Sequence, residues 1–214
     1  MRTLLASSLL LLLSCRTMPE GHDASHRFDD ADAWAARFED PKREAWQKPS
    51  EVIAALQLPP DAKVADIGSA TGYFPVRFAR ALPQGRVYGV DVESSMVDYL
   101  NKRADQEQLP NLSSHLAEFT DAKIPEPVDL ILIVNTYHHI EARPAYFQKL
   151  ARSLKPGGRL AIIDFTRESK MGPGHEAKLP PEQVEAELKE AGYQRAQAFT
   201  FLPEQFFLVF TRAQ

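Results

Sequence analysis

The stretch Val64-Ala65-Asp66-Ile67-Gly68-Ser69-Ala70-Thr71-Gly72-Tyr73-Phe74 decides the fold of this chain. An apolar run ends on an acid, crosses a loop with two glycines, and enters a segment whose apolar residues recur at helical spacing. That order predicts a β-strand, a tight turn and an α-helix, the start of a βαβ unit. Ligands of open α/β sheets bind beyond the carboxyl ends of the strands, so the turn predicts a crevice for a small ligand.

Two features predict that the ligand contains a nucleoside. Gly68 and Gly72 are interpreted as positions where a ligand approaches the backbone closely and where a positive φ is tolerated. A second predicted strand, 86–91, ends on Asp91, about 20 residues after the glycine turn, where the acid of a βαβ unit binds a ribose. A carboxylate accepts two hydrogen bonds from such a diol.

The glycine spacing disfavours a dinucleotide. The dinucleotide fingerprint is G-x-G-x-x-G, whereas Ala70 stands between Gly68 and Gly72 and no glycine occupies position 71. Asp66 would also repel a pyrophosphate, but it could accept a hydrogen bond from the α-amino group of a cationic amino-acid ligand. An NAD-type oxidoreductase is therefore the weaker alternative.

This stretch resembles motif I of the class I S-adenosylmethionine-dependent methyltransferases, acid-x-Gly-x-Gly-x-Gly, with Ala70 in place of one glycine. A second segment, Leu-Lys-Pro-Gly-Gly-Arg-Leu at 154–160, resembles the turn before strand five in the same enzymes. The resemblance covers about residues 50–212. It implies S-adenosyl-L-methionine as cofactor and an α/β fold: a Rossmann-like seven-stranded sheet, mostly parallel with one antiparallel strand near an edge, flanked by helices.

The remaining patterns agree with that fold. Strands are predicted at 63–67, 86–91, 112–116, 128–134 and 159–165, followed by a hairpin of 193–201 and 206–210. Helices are predicted at 73–82, 95–104, 143–154 and from 181 to a stop at Gly192, with a turn at 155–158. The nearly all-apolar 128–134 predicts a strand buried on both faces.

The resemblance also implies a cofactor site. Asp91 would bind the ribose hydroxyls, Val92 would pack on the adenine, Glu118 and Phe119 would lie beside it, and Asn135 would border the methionine part. The full set of predicted cofactor-binding residues is Asp66, Gly68, Ser69, Ala70, Gly72, Tyr73, Asp91, Val92, Glu118, Phe119 and Asn135.

The predicted catalytic residues are Tyr137, His138 and His139, directly after the central strand. Imidazole titrates near neutrality, so a histidine is the best candidate for a general base when the methyl acceptor carries a proton. His138 is favoured, with Tyr137 as an orienting or stacking group. Two alternatives stay open: the histidines hold the loop in place, or they bind a metal together with His175, Glu176 or Asp164. No fixed ligand spacing supports the metal, and none is predicted.

Composition excludes several classes of protein. The chain has 214 residues, a net charge of −4 and dispersed Lys and Arg, so a nucleic-acid partner is not expected. The single cysteine, Cys15, excludes an intramolecular disulfide framework and a multi-cysteine metal site.

The N-terminal residues predict export. A charged start, an apolar segment over 4–13 and Ser14-Cys15 predict a signal peptide of residues 1–15, and Leu12-Leu13-Ser14-Cys15 looks like a bacterial lipobox. The resulting expectation is a bacterial lipoprotein, anchored through lipidated Cys15 and facing the periplasm. An ordinary signal peptide, or a misassigned start on a cytoplasmic protein, are the alternatives.

The chain then divides into a flexible tether of residues 16–28, an N-terminal helical lid of residues 29–57 and a class I methyltransferase domain of residues 58–214. Simple packing of the helices on the sheet edge is an equal alternative to a lid. The predicted function is methyl transfer to a small-molecule acceptor, apolar or lipid-like. The Tyr137-His138-His139 run is similar to quinone-biosynthesis methyltransferases, which implies a ring compound. A secreted protein that binds the nucleoside without turnover is the second hypothesis.

Overall fold

A computed structural model describes residues 30–213 and contains one seven-stranded sheet in the order β3-β2-β1-β4-β5-β7-β6. The strands are β1 Lys63–Ile67, β2 Arg86–Asp91, β3 Leu112–Leu116, β4 Val128–Val134, β5 Leu154–Phe165, β6 Tyr193–Phe199 and β7 Gln205–Arg212. β1 to β5 pair in parallel, whereas β7 lies antiparallel between β5 and β6. The predicted Rossmann-like sheet with one reversed strand near an edge is confirmed.

Seven α-helices accompany the sheet in the described residues. They are α1 Ala31–Phe38, α2 Arg43–Gln47, α3 Pro49–Leu56, α4 Tyr73–Ala81, α5 Ser94–Gln106, α6 Arg143–Leu150 and α7 Pro181–Glu190. Their apolar faces bury two separate cores, one on each face of the sheet: α3, α4 and α5 cover one face, and α6 and α7 cover the other. Two covered faces explain why β4 is almost continuously apolar.

The segment 155–158 differs from its prediction as a turn. The strand β5 runs through it, and the pairing with β4 shifts there: Val128 pairs with Leu154, but Leu130 pairs with Arg159. The extra residues form a bulge in β5, which keeps the parallel pairing on both sides of the irregularity. Before it, α6 ends at Leu150 and a 3-10 turn, Ala151–Ser153, completes the predicted helix.

The N-terminal helices begin where side-chain chemistry favours them. Asp30 caps α1 by accepting a hydrogen bond from the Ala33 amide at 3.0 Å, and Trp34 stacks on Phe38 with ring centroids 5.4 Å apart. The third helix begins at Pro49, a residue suited to the first turn of a helix. The predicted signal peptide and tether lie outside the described residues. Within 30–213 no helix is both long enough and apolar enough to span a membrane.

Candidate functional site

The loop between β1 and α4 is fastened to the neighbouring strand. The amides of Gly68 and Ser69 donate to the Val90 carbonyl at 2.8 and 3.2 Å. Gly68, Ala70 and Gly72 all have positive φ values, of 74°, 45° and 97°. The loop therefore alternates left-handed residues, a conformation that glycine adopts cheaply and alanine at a cost of about 1 to 2 kcal/mol.

The glycines of this loop have the positive φ values that were predicted for them, and they also lack room for a Cβ. A Cβ on Gly68 would lie 2.3 Å from Thr136 Oγ1, and one on Gly72 would lie 2.3 Å from Leu100 Cδ1. The protein's own side chains thus fill the space where a Cβ of either glycine would point. A ligand cannot approach the backbone from that side, so ligand approach there does not explain why glycine is needed. Positive φ and tight packing of β4 and α5 on the loop explain the glycines instead.

Asp91 and the glycine loop are in direct contact, as the nucleoside interpretation requires. Asp91 Oδ2 accepts the Ala70 amide at 2.9 Å, and Oδ1 accepts the Glu93 amide at 3.0 Å. Burial raises the pKa of Asp91, and these two hydrogen bonds oppose the rise. The carboxylate that would bind a ribose is therefore held in place by the loop that would hold the rest of the ligand.

An exposed apolar surface adjoins Asp91. The exposed large apolar side chains in 30–213 are Val92 at 37%, Leu116 at 53% and Phe119 at 59%, and they follow or end the adjacent strands β2 and β3. Glu118 lies on the same loop and pairs with Lys123. Exposed apolar groups beside a ribose-type carboxylate are suited to the flat face of a purine. The structure therefore places Val92 and Phe119 after β2 and β3, at the same edge of the sheet as Asp91, and their contact with adenine stays a prediction.

Asp66 is enclosed at the same edge. It is buried, and burial followed by the charge of Asp91 raises its pKa, while the Arg43 guanidinium opposes that rise. The hydroxyl of Ser69 lies 2.9 Å from the position that a Cβ on Gly89 of β2 would occupy. The Ser69 side chain therefore faces the interior, and only its backbone belongs to the loop surface.

His138 and Asp164 form a buried pair across β4 and β5. His138 Nδ1 lies 2.8 Å from Asp164 Oδ2, and the two side chains are only 6% and 7% exposed. His139 is exposed and its ring contacts that of His138, with centroids 4.1 Å apart and the ring planes tilted by 42°. The carboxylate fixes the histidine ring, and an Nδ1–H donated to it leaves Nε2 as the nitrogen that can accept a proton.

Tyr137 does not join this pair. Its side chain is fully buried, its ring stacks on Phe147, and its hydroxyl donates to Glu187 Oε2 at 2.8 Å. Burial, with the hydrogen bond to Glu187, raises the pKa of the Tyr137 hydroxyl far above its ordinary value. The expectation of an orienting or stacking role at the site is therefore not retained, because Tyr137 joins β4 to α6 and α7.

Asn135 connects three parts of the fold at the end of β4. It has a positive φ of 55°, and its Oδ1 accepts Gln205 Nε2 at 2.5 Å. Gln205 Oε1 in turn accepts Gln47 Nε2 at 2.6 Å, so α2 is linked through β7 to β4. No local pattern marked Gln47 or Gln205, because this chain of amides spans residues distant in sequence.

The helices before the domain pack over these strand ends. Glu39 accepts the Thr71 hydroxyl and pairs with Arg103, each at 2.8 Å. Trp46 packs on Phe165, the last residue of β5, with centroids 5.6 Å apart. The helices thus contact the loop and the strand ends that carry Asp66 and Asp164. Within 30–213 no group of three His, Cys, Asp or Glu side chains is arranged to hold a metal ion.

Arg43 is a site residue that the sequence reasoning missed. Its guanidinium carbon lies 3.7 Å from the centroid of the Tyr73 ring, and its Nε is buried with no hydrogen-bond partner among the described residues. An unpartnered donor on a guanidinium whose charge acts on the buried Asp66 carboxylate fits a ligand with both an ammonium and a carboxylate group, as the amino-acid end of S-adenosylmethionine has. The residues present therefore fit this cofactor.

The sheet order, the glycine loop and the acid after β2 define a class I, S-adenosylmethionine-dependent methyltransferase domain. Residues 58–203 match the family model described as a methyltransferase domain, and the chain belongs to that family.

A solved S-adenosylmethionine-dependent methyltransferase from Aquifex aeolicus is 26% identical, with a TM-score of 0.78, over 85% of this chain and 97% of that one. Phosphoethanolamine N-methyltransferase from Triticum aestivum is 30% identical over 67% of this chain and 26% of its own length. The 27-O-demethylrifamycin SV methyltransferase from Amycolatopsis mediterranei is 29% identical over 64% of this chain and 56% of its own length. The chain spans about a quarter of the first of these curated relatives and about half of the second.

Proposed function

We propose that this protein transfers the methyl group of S-adenosylmethionine to a small molecule. The observation that carries the proposal is the contact between Asp91 and the glycine loop, at the carboxyl edge of a sheet whose family is known. In the proposed site Asp91 binds the ribose, Val92 and Phe119 contact the adenine, and Asn135 borders the sulfonium. The cofactor supplies an activated methyl group, and the protein aligns it with the acceptor.

The His138–Asp164 pair supports an acceptor that loses a proton. In the proposed step the acceptor oxygen attacks the methyl carbon, the carbon–sulfur bond breaks and S-adenosylhomocysteine leaves. His138 Nε2 takes the acceptor's proton, and Asp164 stabilises the imidazolium that forms. The neighbouring rings of Trp46 and Phe165 favour a planar apolar acceptor, such as a small hydroxylated ring compound. The small-molecule acceptors named for the two curated relatives agree with that size class.

The function is tested with the full chain, S-adenosylmethionine and a panel of small phenols, catechols and quinols, with S-adenosylhomocysteine measured by mass spectrometry. Calorimetry with S-adenosylhomocysteine runs in parallel. Binding with turnover of a panel member is expected. No binding would overturn the proposal, and tight binding without turnover on a broad panel would favour a binding protein.

The role of His138 is tested by His138→Ala, with His139→Ala as the matched control. Loss of a general base lowers kcat by about 100- to 10,000-fold, while the affinity for S-adenosylhomocysteine stays near the wild-type value. The exposed His139 is expected to be replaceable with little change in rate. Unchanged turnover in both variants would leave the histidines a structural role.

We also propose that Cys15 carries a lipid that anchors the protein on the periplasmic face of a membrane. The support is the sequence pattern of residues 1–15 alone. Intact mass spectrometry of protein from the native host is expected to show cleavage before Cys15 and an added lipid mass. A Cys15→Ala variant that stays in the membrane fraction as before would contradict the lipid anchor.

A further inference from the structure

The N-terminal helices place one arginine, Arg43, in an unusual position at the cofactor site. Its Nη2 donates to Gln47 Oε1 at 3.0 Å and its Nη1 donates to the Phe38 carbonyl. Both partners are neutral and both lie on the same N-terminal segment. The Nε of Arg43 is buried and has no partner among the described residues. Burial is also the main cause that lowers the pKa of Arg43.

The carboxylates whose charges act on Arg43 are those of Glu39 and Asp66, and neither forms an ion pair with it. Glu39 pairs with Arg103 and accepts the Thr71 hydroxyl, and Glu44 pairs with Arg77. Among the ion pairs of residues 30–213 none includes Arg43. A buried guanidinium that lacks an anion in direct contact carries an uncompensated desolvation cost. The guanidinium of Arg43 would therefore be stabilised by binding an anion.

Arg77 provides an internal comparison. It approaches the same Tyr73 ring, with its guanidinium carbon 3.9 Å from the centroid, against 3.7 Å for Arg43. Unlike Arg43, it forms an ion pair, because it donates to the Glu44 carboxylate as well as to the Tyr73 carbonyl at 2.7 Å. Stacking on Tyr73 is thus common to both arginines, but only Arg77 has a carboxylate partner, whereas Arg43 has a buried Nε without a partner among the described residues.

The anion that fits is the carboxylate of the cofactor's amino-acid end. That end carries an ammonium and a carboxylate on the same carbon, and the site offers the buried Asp66 and the nearby Arg43. A guanidinium binds a carboxylate through parallel N–H donors, which a lysine cannot reproduce. The inference rests on the proposed methyl-transfer function.

We propose that Arg43 binds the carboxylate of S-adenosylmethionine and so holds residues 30–48 over the bound cofactor. The segment also contacts the domain through the Glu39 bonds to Thr71 and Arg103, the Glu44–Arg77 ion pair, the Gln47–Gln205 bond and the packing of Trp46 on Phe165. Arg43 is the contact that joins the segment to the cofactor itself, so the covering of the site depends on which ligand is bound.

The test measures the affinity of the full chain for S-adenosylmethionine and for decarboxylated S-adenosylmethionine, which lacks only the carboxylate. Arg43→Gln is expected to weaken S-adenosylmethionine binding by about 10- to 100-fold, the range of a hydrogen-bonded charge, and to leave the decarboxylated ligand unchanged. Arg77→Gln is the matched control and is expected to keep the wild-type preference. Arg43→Lys, which retains the charge, is expected to recover part of the affinity.

Hydrogen exchange gives a second readout. Residues 30–48 are expected to be protected by S-adenosylmethionine in the wild type, and protected less by the decarboxylated ligand. Equal weakening of both ligands in Arg43→Gln, or equal protection by both in the wild type, would overturn the role of Arg43. Failure of the wild type to bind either ligand would overturn the methyltransferase function itself, so the two failures are distinguishable.

Discussion

At the residue scale, Gly68 is a motif residue whose identity is required by the packing and backbone conformation of the fold. Its positive φ and the Thr136 side chain beside it both exclude a Cβ. Gly157 offers a comparison, because its φ of 78° is close to the 74° of Gly68 but a Cβ there would meet nothing within 4 Å. Comparing the two glycines separates the cost of backbone conformation from the cost of crowding.

We predict that Gly157→Ala lowers the free energy of unfolding by about 1 kcal/mol, the cost of a left-handed alanine. Gly68→Ala should cost about 2 to 4 kcal/mol, because overpacking against Thr136 is added to that backbone cost. Urea denaturation of both variants measures the difference. Equal losses would mean that Thr136 moves aside freely.

The titration of Asp66 is a second property of a single residue. Burial, and then the charge of Asp91, raises its pKa in the folded protein. Above the ordinary pKa of the carboxyl the unfolded chain releases this proton while the folded chain retains it. Stability therefore falls as pH rises, until the folded group ionises as well.

Asp66→Asn is predicted to remove this penalty. Its stability relative to the wild type should rise between pH 4 and pH 7, with a slope of at most about 1.4 kcal/mol per pH unit. Asp121→Asn is the control, since a hydrogen bond from Lys149 lowers the pKa of Asp121 to about 2 and its contribution varies only at lower pH. A flat difference for Asp66→Asn between pH 4 and pH 7 would show that Asp66 ionises normally.

At the scale of elements, Glu187 joins the 3-10 turn Tyr137–His139, which follows β4, to α6 and α7. It accepts the Tyr137 hydroxyl at 2.8 Å, Arg143 Nε at 2.6 Å and Arg143 Nη2 at 3.0 Å. This network lies on the face of the sheet covered by α6 and α7. It positions the turn that carries His138 without reaching the site.

Tyr137→Phe is predicted to lower stability by about 1 kcal/mol, because one buried hydrogen bond is lost while Glu187 keeps its arginine. The affinity for S-adenosylhomocysteine should not change. Thermal unfolding and calorimetry on the same protein preparation test both statements. A large loss of affinity with normal stability would restore Tyr137 to the site.

At the scale of the whole molecule, the sequence predicted the strands closely because a sheet covered on both faces needs continuous apolar runs. The bounds of β1, β2, β3 and β4 agree with their predictions. The prediction failed where long-range contacts decide the structure. The turn at 155–158 became a bulge through pairing with β4, and Gln47, Gln205 and Arg43 entered the site through contacts between distant segments.

The His138–Asp164 pair is another contact that could not be predicted from local sequence patterns. Each residue was visible as a polar group at a strand end, but only the adjacency of β4 and β5 joins them. Asp164 was considered as a metal ligand, whereas the structure makes it the partner of an imidazole. The sequence pattern was enough to predict that the site residues lie at the carboxyl ends of the strands. It was not enough to predict which side chains form hydrogen bonds with each other there.

Cofactor binding should stabilise the whole domain. S-adenosylhomocysteine at 100 times its Kd adds about 2.7 kcal/mol, which for a chain of this size raises the Tm by roughly 5 to 11 °C. Asp91→Asn should remove most of that rise, because the amide replaces a charged acceptor for the ribose hydroxyls. Differential scanning fluorimetry measures both proteins. An equal rise in the variant would show that Asp91 does not bind the ligand.

The position of β7 has a consequence for biogenesis. Among the strands of this sheet, β7 is synthesised last. It is nevertheless an interior strand, paired with β5 on one side and β6 on the other. Until residues 205–212 arrive, β5 presents an unpaired edge that invites pairing with other chains. A nascent chain halted before that strand should therefore depend on chaperones. Folding of the sheet should be completed in one step when β7 pairs with β5 and β6.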